Sequence, residues 1–181
     1  RSVLERLLAI PSPTGYTDTI VRAVTAELET LGVGIEITRR GAIRAYLQGG
    51  RRKGARAIIS HLDTLGAQVR SLEDNGRLGI CSIGHWSARF AESCRCTIFS
   101  ETGAYRGTIL PLKASGHTFN EEVDEQPIGW QHIEIRVDAF ARKRADLVKL
   151  GIDVGDIVAI DPGTEFLDNG FVVSRHLDNK A

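Results

Sequence analysis

Two short strings carry the residue types of hydrolytic metal chemistry. The first is Ser60-His61-Leu62-Asp63-Thr64-Leu65-Gly66, directly after the apolar run Ala57-Ile58-Ile59-Ser60. Ligand sites in open α/β sheets form outside the carboxyl ends of the strands, which is where this imidazole falls if 57–60 is a strand. One ring nitrogen can then take a metal. The other needs an acceptor to fix the tautomer, and a nearby carboxylate such as Asp63 is the usual type. The second string is His176-Leu177-Asp178-Asn179-Lys180-Ala181, just after Phe171-Val172-Val173. An Asp at a strand end beside His61 would be able to bridge two divalent ions, one oxygen to each. Ions paired about 3.5–4 Å apart clamp and activate a water for hydrolysis. Each string also has a plainer reading, the first as a polar turn closing a strand and the second as a solvated loop.

The elements that must position these residues follow from periodicity. Val3, Leu4, Leu7 and Leu8 recur at helical spacing, and Pro11 and Pro13 end that helix. Thr17 or Asp18 can cap a second helix carrying Ile20, Val21, Val24, Leu28 and Leu31 on one face, closed by Gly32 and Gly34. Strand-like runs follow near 35–39, 42–48 and 56–60. The last, apolar on both faces, reads as a central strand of a sheet covered by helices. From about 67 to 159 the pattern changes to short alternating strands punctuated by glycines, with Asp74-Asn75-Gly76 as a hairpin signal and one helix near 141–150. This middle reads as a β-barrel or sandwich. Phe171-Val172-Val173 is expected to return to the first sheet. The organisation expected is therefore an α/β domain of residues 1–66 plus 160–181, split by an inserted β-rich domain of residues 67–159.

Composition excludes several classes. The 181 residues carry 23 Lys plus Arg against 23 Asp plus Glu, so no charge imbalance favours a nucleic-acid partner. Arg51-Arg52-Lys53 reads as a solvated turn. No apolar run approaches the roughly 20 residues that span a bilayer, and no signal-peptide pattern opens the chain, so a cytoplasmic protein without membrane partners is expected. Three cysteines, Cys81, Cys94 and Cys96, argue against a disulfide framework and read as small buried residues. Phosphate-loop, dinucleotide-binding and serine-nucleophile motifs are absent. The chain begins at Arg1, contains no Met, and stops directly after the second string. Both ends look cut, so the chain is expected to be part of something longer.

Taken together, the strings resemble the glutamyl/deblocking aminopeptidase family of two-metal peptidases, whose larger members form tetrahedral particles. The resemblance covers essentially the whole chain. It rests on Ile10-Pro-Ser-Pro-Thr-Gly15, His61-Leu-Asp-Thr-Leu-Gly66, Gly151-Ile-Asp-Val-Gly-Asp156 and Leu177-Asp-Asn-Lys-Ala181, in that order and with a β-rich insert between the His and Asp strings. A subgroup associated with small-dipeptide osmoprotectant systems looks closest. The resemblance implies a mixed-sheet zinc-exopeptidase domain interrupted by a β-barrel used in dimerisation or assembly. It implies that His61 binds one metal, that Asp63 supports His61, and that Asp178 bridges two divalent ions, zinc or alternatively cobalt. The substrates implied are short or dipeptide-like peptides, cleaved at the N-terminal residue.

This sequence departs from the family pattern in one respect. The family's Glu-Glu pair, further Asp and final His lie downstream of the bridging Asp, so they are expected beyond Ala181, and the 181-residue chain alone is expected to be inactive. Glu121-Glu122 precedes Asp178 and reads as a solvated acidic loop. His85, His117 and His176 are not expected to bind metal. The competing readings are a related two-metal deacylase or carboxypeptidase, which usually carries a smaller α/β insert after the Asp string, and a non-catalytic binding or assembly module with an incomplete site.

Overall fold

The computed structural model describes residues 2–50 and 54–181; the Arg51-Arg52-Lys53 turn lies outside the described residues. Along the chain the elements are α1 (Ser2–Ala9), α2 (Asp18–Thr30), β1 (Gly34–Ile37), β2 (Ile43–Tyr46), β3 (Gly66–Leu72), β4 (Leu78–Ile83), β5 (Arg95–Ser100) and β6 (Gly103–Pro111). Then come α3 (Gly116–Phe119), α4 (Glu122–Glu125), β7 (Ile133–Val137), α5 (Arg144–Lys149), β8 (Ile157–Ile160), β9 (Glu165–Phe166), β10 (Val172–Val173) and α6 (Leu177–Lys180). The chain divides into one unit of residues 1–64 with 162–181 and a second of residues 65–161.

The second unit is a closed six-strand barrel in the order β3-β4-β7-β6-β5-β8, with every pairing antiparallel. Closure leaves no edge strand, so every ladder is paired around the ring. Alternation sets what faces inward. In β5, Cys96 and Ile98 are fully buried while Arg95 is exposed. Ile80, Ile109, Ile135 and Val158 fill the same core, each burial contributing about 1.5–3 kcal/mol. Leu147 of α5 and Ile152 beyond it join that core. Cys94 and Cys96 are both buried and none of the cysteines is in a disulfide. Burial pushes the Cys96 thiol up to about 12, so the free thiol stays protonated at neutral pH.

The first unit carries α1, α2 and two separate two-stranded ladders, β1–β2 and β9–β10. Leu8 of α1, Pro13 and Ile20 of α2 are fully enclosed apolar side chains of this unit. The α2 cap falls at Thr17, whose side chain makes no capping hydrogen bond. No described helix is long and apolar enough to cross a membrane.

Three expectations are corrected here. Residues 57–60 do not form a central strand: no described strand pairs with them, and Ile58 and Ile59 stand 98% and 90% exposed. An apolar run reports what a segment would gain if covered, and nothing in it guarantees a covering element. Val172–Val173 does not return to the first sheet, because its partner is β9, only six residues upstream in register (Val172 opposite Phe166). A local hairpin closes at far lower entropic cost than a ladder to β1 or β2. Consequently no mixed sheet is present among the described residues of this unit, which hold two antiparallel two-stranded ladders and an isolated parallel bridge between Pro13 and Thr64.

Candidate metal centre

His61 and Asp178 are 117 positions apart in sequence, yet the imidazole Nε2 lies 3.1 Å from Asp178 Oδ1. Both belong to the first unit. His61 stands outside any strand, three residues before the Thr64 bridge. Asp178 lies in α6, a single turn whose Asp178 and Asn179 depart from helical backbone angles, and the Asp178–Asn179 peptide is cis. The His61 side chain is 52% exposed and that of Asp178 90%, so the pair opens to solvent.

The other ring nitrogen, Nδ1, lies 3.0 Å from the Asp63 main-chain carbonyl and 3.4 Å from the Asp63 carboxylate. The Asp63 carbonyl therefore faces Nδ1 more closely than the Asp63 carboxylate does. That carboxylate accepts instead from Thr14 Oγ1 at 2.7 Å. A carbonyl can only accept, so Nδ1 carries the proton. In the neutral imidazole the Nε2 lone pair then faces a carboxylate oxygen. Two acceptors at 3.1 Å require something positive between them, either a proton on Nε2 or a cation. The Asp63 carbonyl contributes most to holding the His61 pKa above its ordinary value; desolvation, the next largest cause, opposes it, and the Asp178 side chain adds to it.

The donor set fits a divalent cation. Nitrogen and oxygen ligands at about 2.0–2.1 Å, separated by a right or tetrahedral angle, lie about 2.9–3.4 Å apart, a range that includes the separation seen here. Two donors are too few to fill one coordination sphere. Among the described residues no group of three or more His, Cys, Asp or Glu side chains is arranged to hold a metal ion.

The remaining candidates stand elsewhere. His85 and His117 are exposed residues of the barrel unit. Glu121 and Glu122 are exposed there too, and Glu122 is ion-paired with Lys113. His176 is half-buried and precedes α6 with a left-handed backbone. Sequence reasoning gave no role to Lys180, which is 5% exposed and donates through Nζ to the carbonyls of Leu7 (3.1 Å) and Ile10 (2.7 Å). Burial lowers its pKa to about 8. Ser12, also buried, donates to the Leu62 carbonyl at 2.7 Å. Both residues lie inside strings singled out above. A lone Lys and a Ser between two prolines were the only signals, and neither specifies a partner.

The family model described as M42 glutamyl aminopeptidase matches residues 41–181. "Putative aminopeptidase YhfE" of Bacillus subtilis (strain 168) is 36% identical over 180 residues, covering 99% of this chain and 52% of that protein. An aminopeptidase from the archaeon Desulfurococcus kamchatkensis is 26% identical with a TM-score of 0.81, over 99% of this chain and 48% of that one. The TET1 peptidase of Pyrococcus horikoshii, which can assemble into a tetrahedron or a large octahedral shell, shares the fold at 20% identity and a TM-score of 0.78, over 99% of this chain and 52% of that one. The chain thus spans about half the length of the relatives it matches.

Proposed function

The chain belongs to the M42 glutamyl aminopeptidase family, and we propose that it is part of a metal-dependent aminopeptidase removing N-terminal residues from short peptides. The observation that carries this reading is the His61–Asp178 pair, an oriented imidazole nitrogen and an open carboxylate 3.1 Å apart. His61 is assigned as ligand to one divalent ion, Asp178 as the bridge between two, and Asp63 as the residue that fixes the His61 tautomer. Zinc, or alternatively cobalt, suits an imidazole and carboxylate set. When bound, such ions polarise a scissile carbonyl and lower the pKa of a bound water. The chain's own part is orientation. Nδ1–H is committed to the Asp63 carbonyl, so Nε2 alone is presented. The Asp178 carboxylate, largely exposed, keeps a second oxygen for another partner.

Residues 1–66 and 160–181 are read as the catalytic part of the complete protein, working in the cytoplasm, and residues 67–159 as an inserted assembly domain. Self-association through the barrel is supported by Phe90, Leu112, Ile128 and Phe140, large apolar side chains exposed on that unit, and by the assembly of the Pyrococcus relative.

The test uses the complete protein on an aminoacyl amide with a free amino end and on its N-acetylated counterpart, with and without a strong chelator. Hydrolysis of the free-amine substrate alone, lost with chelator and restored by Zn²⁺ or Co²⁺, is the expected result. Chelator-resistant turnover, or equal rates on the two substrates, would overturn the reading.

A further inference from the structure

The segment from Leu7 to Thr14 touches both halves of the candidate centre. On one side it pairs with the His61 segment. Thr64 N–H donates to the Ser12 carbonyl at 2.8 Å, Thr14 N–H donates to the Thr64 carbonyl at 3.1 Å, and Pro13 and Thr64 form a parallel bridge. Ser12 Oγ adds its bond to the Leu62 carbonyl, one residue from His61. On the other side the segment receives Lys180, two residues from Asp178, on the carbonyls of Leu7 and Ile10. A third tie joins the two halves directly: Ser60 Oγ lies 2.8 Å from the Asn179 carbonyl and 2.6 Å from Asn179 Oδ1.

Lys180 is an unusual choice for this place. An ammonium needs acceptors, and taking it out of water is unfavourable unless they are supplied. The C-terminal end of α1 supplies them: Leu7 lies in its last turn and Ile10 directly follows it, where carbonyls lack i+4 helical partners and the negative end of the dipole falls. An exposed Lys would satisfy the same carbonyls without the desolvation. Burial at 5% exposure fixes the side chain, and with it the backbone that bears Asp178.

We propose that Lys180 is a positioning residue, and that residues 7–14 form a common bracket that sets the separation of His61 and Asp178 through Lys180 on one side and Ser12 on the other. This rests on the assignment of His61 and Asp178 as metal ligands. The bracket accounts for a tight pair on a segment with no strand of its own, since residues 57–60 lend His61 no ladder.

The test measures Co²⁺ binding to the complete protein by chelator competition and by the visible absorption of the bound ion. Lys180→Met keeps the length and apolar stem but removes the donors. It is expected to lower Co²⁺ affinity about 10–100-fold, the usual effect of removing a group that orients a ligand, and to change the absorption spectrum at saturation. Lys180→Arg recovers part of the affinity. Ser12→Ala, a one-atom truncation, shifts affinity and spectrum in the same sense, and carries the test alone if Lys180→Met does not fold. Arg6→Ala, which removes an exposed α1–α2 ion pair with Glu27, leaves both readouts unchanged. A structural role confined to stability would lower resistance to denaturant and leave the spectrum of the saturated protein as in wild type. Wild-type affinity and spectrum in both Lys180→Met and Ser12→Ala overturn the bracket. Loss in Lys180→Met alone keeps Lys180 in its role and removes Ser12. If His61→Ala and Asp178→Ala bind Co²⁺ as wild type does, the ligand assignment itself has failed.

Discussion

Replacing Asp178 with Ala in the complete protein is expected to lower kcat/KM on a free-amine aminoacyl substrate by about a thousand-fold or more. On the proposed assignment the Asp178 carboxylate would hold both ions, so its removal would forfeit several kcal/mol of charge stabilisation, and each 1.36 kcal/mol is a factor of about ten. Bound metal should fall in parallel when the protein is dialysed and its metal counted. His61→Ala removes one ligand and leaves the bridge, so its loss should be no greater than that of Asp178→Ala. Asp63→Asn separates the two ways in which Asp63 could act. Because Nδ1–H donates first to the Asp63 carbonyl, a side-chain change leaves that bond in place. The Asn side-chain oxygen can still accept from Thr14 Oγ1, as the carboxylate does now. The loss should therefore sit near about ten-fold, the low end for groups that orient a ligand. Wild-type turnover and metal content in Asp178→Ala would place the chemistry elsewhere. A loss in Asp63→Asn as large as in His61→Ala would show that the carboxylate, rather than the carbonyl, governs the imidazole.

The parts of this molecule that were legible in the sequence are those whose stability is local or periodic. Alternation of buried and exposed residues along Arg95–Ser100, and the turn at Asp74-Asn75-Gly76, report directly on strands that pair with near neighbours. Helices α1 and α2 follow from apolar spacing, with prolines ending α1 and Gly32 and Gly34 ending α2. Residues 57–60 were misread because hydrophobicity states a preference for cover without naming the cover, and Ile58 and Ile59 have none among the described residues. Val172 was misplaced because two residues carry too little pattern to choose between a distant sheet and the nearby Phe166. The proximity of His61 and Asp178 could not be read from either string alone; it rested on the resemblance, which linked strings that local pattern leaves independent. Lys180 was invisible for a related reason. Its partners are main-chain carbonyls of Leu7 and Ile10, and a carbonyl leaves no mark in a sequence.

Gly76→Ala is expected to destabilise the barrel by about 2–5 kcal/mol, combining about 1–2 kcal/mol for a left-handed backbone with about 1–3 kcal/mol for overpacking. Gly76 closes the β3–β4 turn at φ +79°, with its N–H on the Glu73 carbonyl and the Arg77 N–H on Asn75 Oδ1. A Cβ there would lie 2.5 Å from the Ala141 carbonyl oxygen and 2.8 Å from the Arg142 carbonyl carbon. Those atoms are backbone, so no side chain can swing aside. The segment is also tied down, since the Arg142 N–H donates to Asp146 of α5 at 3.0 Å. Relief would require moving either the turn or the approach to α5, whose Leu147 is packed in the barrel core. Gly155→Ala supplies the control in the same unit: its φ is +100°, but a Cβ there would meet nothing within 4 Å, so only the backbone penalty applies. Chains of more than one unit need not unfold in a single step, so the readout is amide hydrogen exchange along β3, β4 and β7. Protection should fall further in Gly76→Ala than in Gly155→Ala, by about ten-fold for each additional 1.4 kcal/mol. Equal losses in the two variants would mean that residues 141–142 give way freely, and that the close approach of the turn to this segment contributes nothing to holding the barrel together.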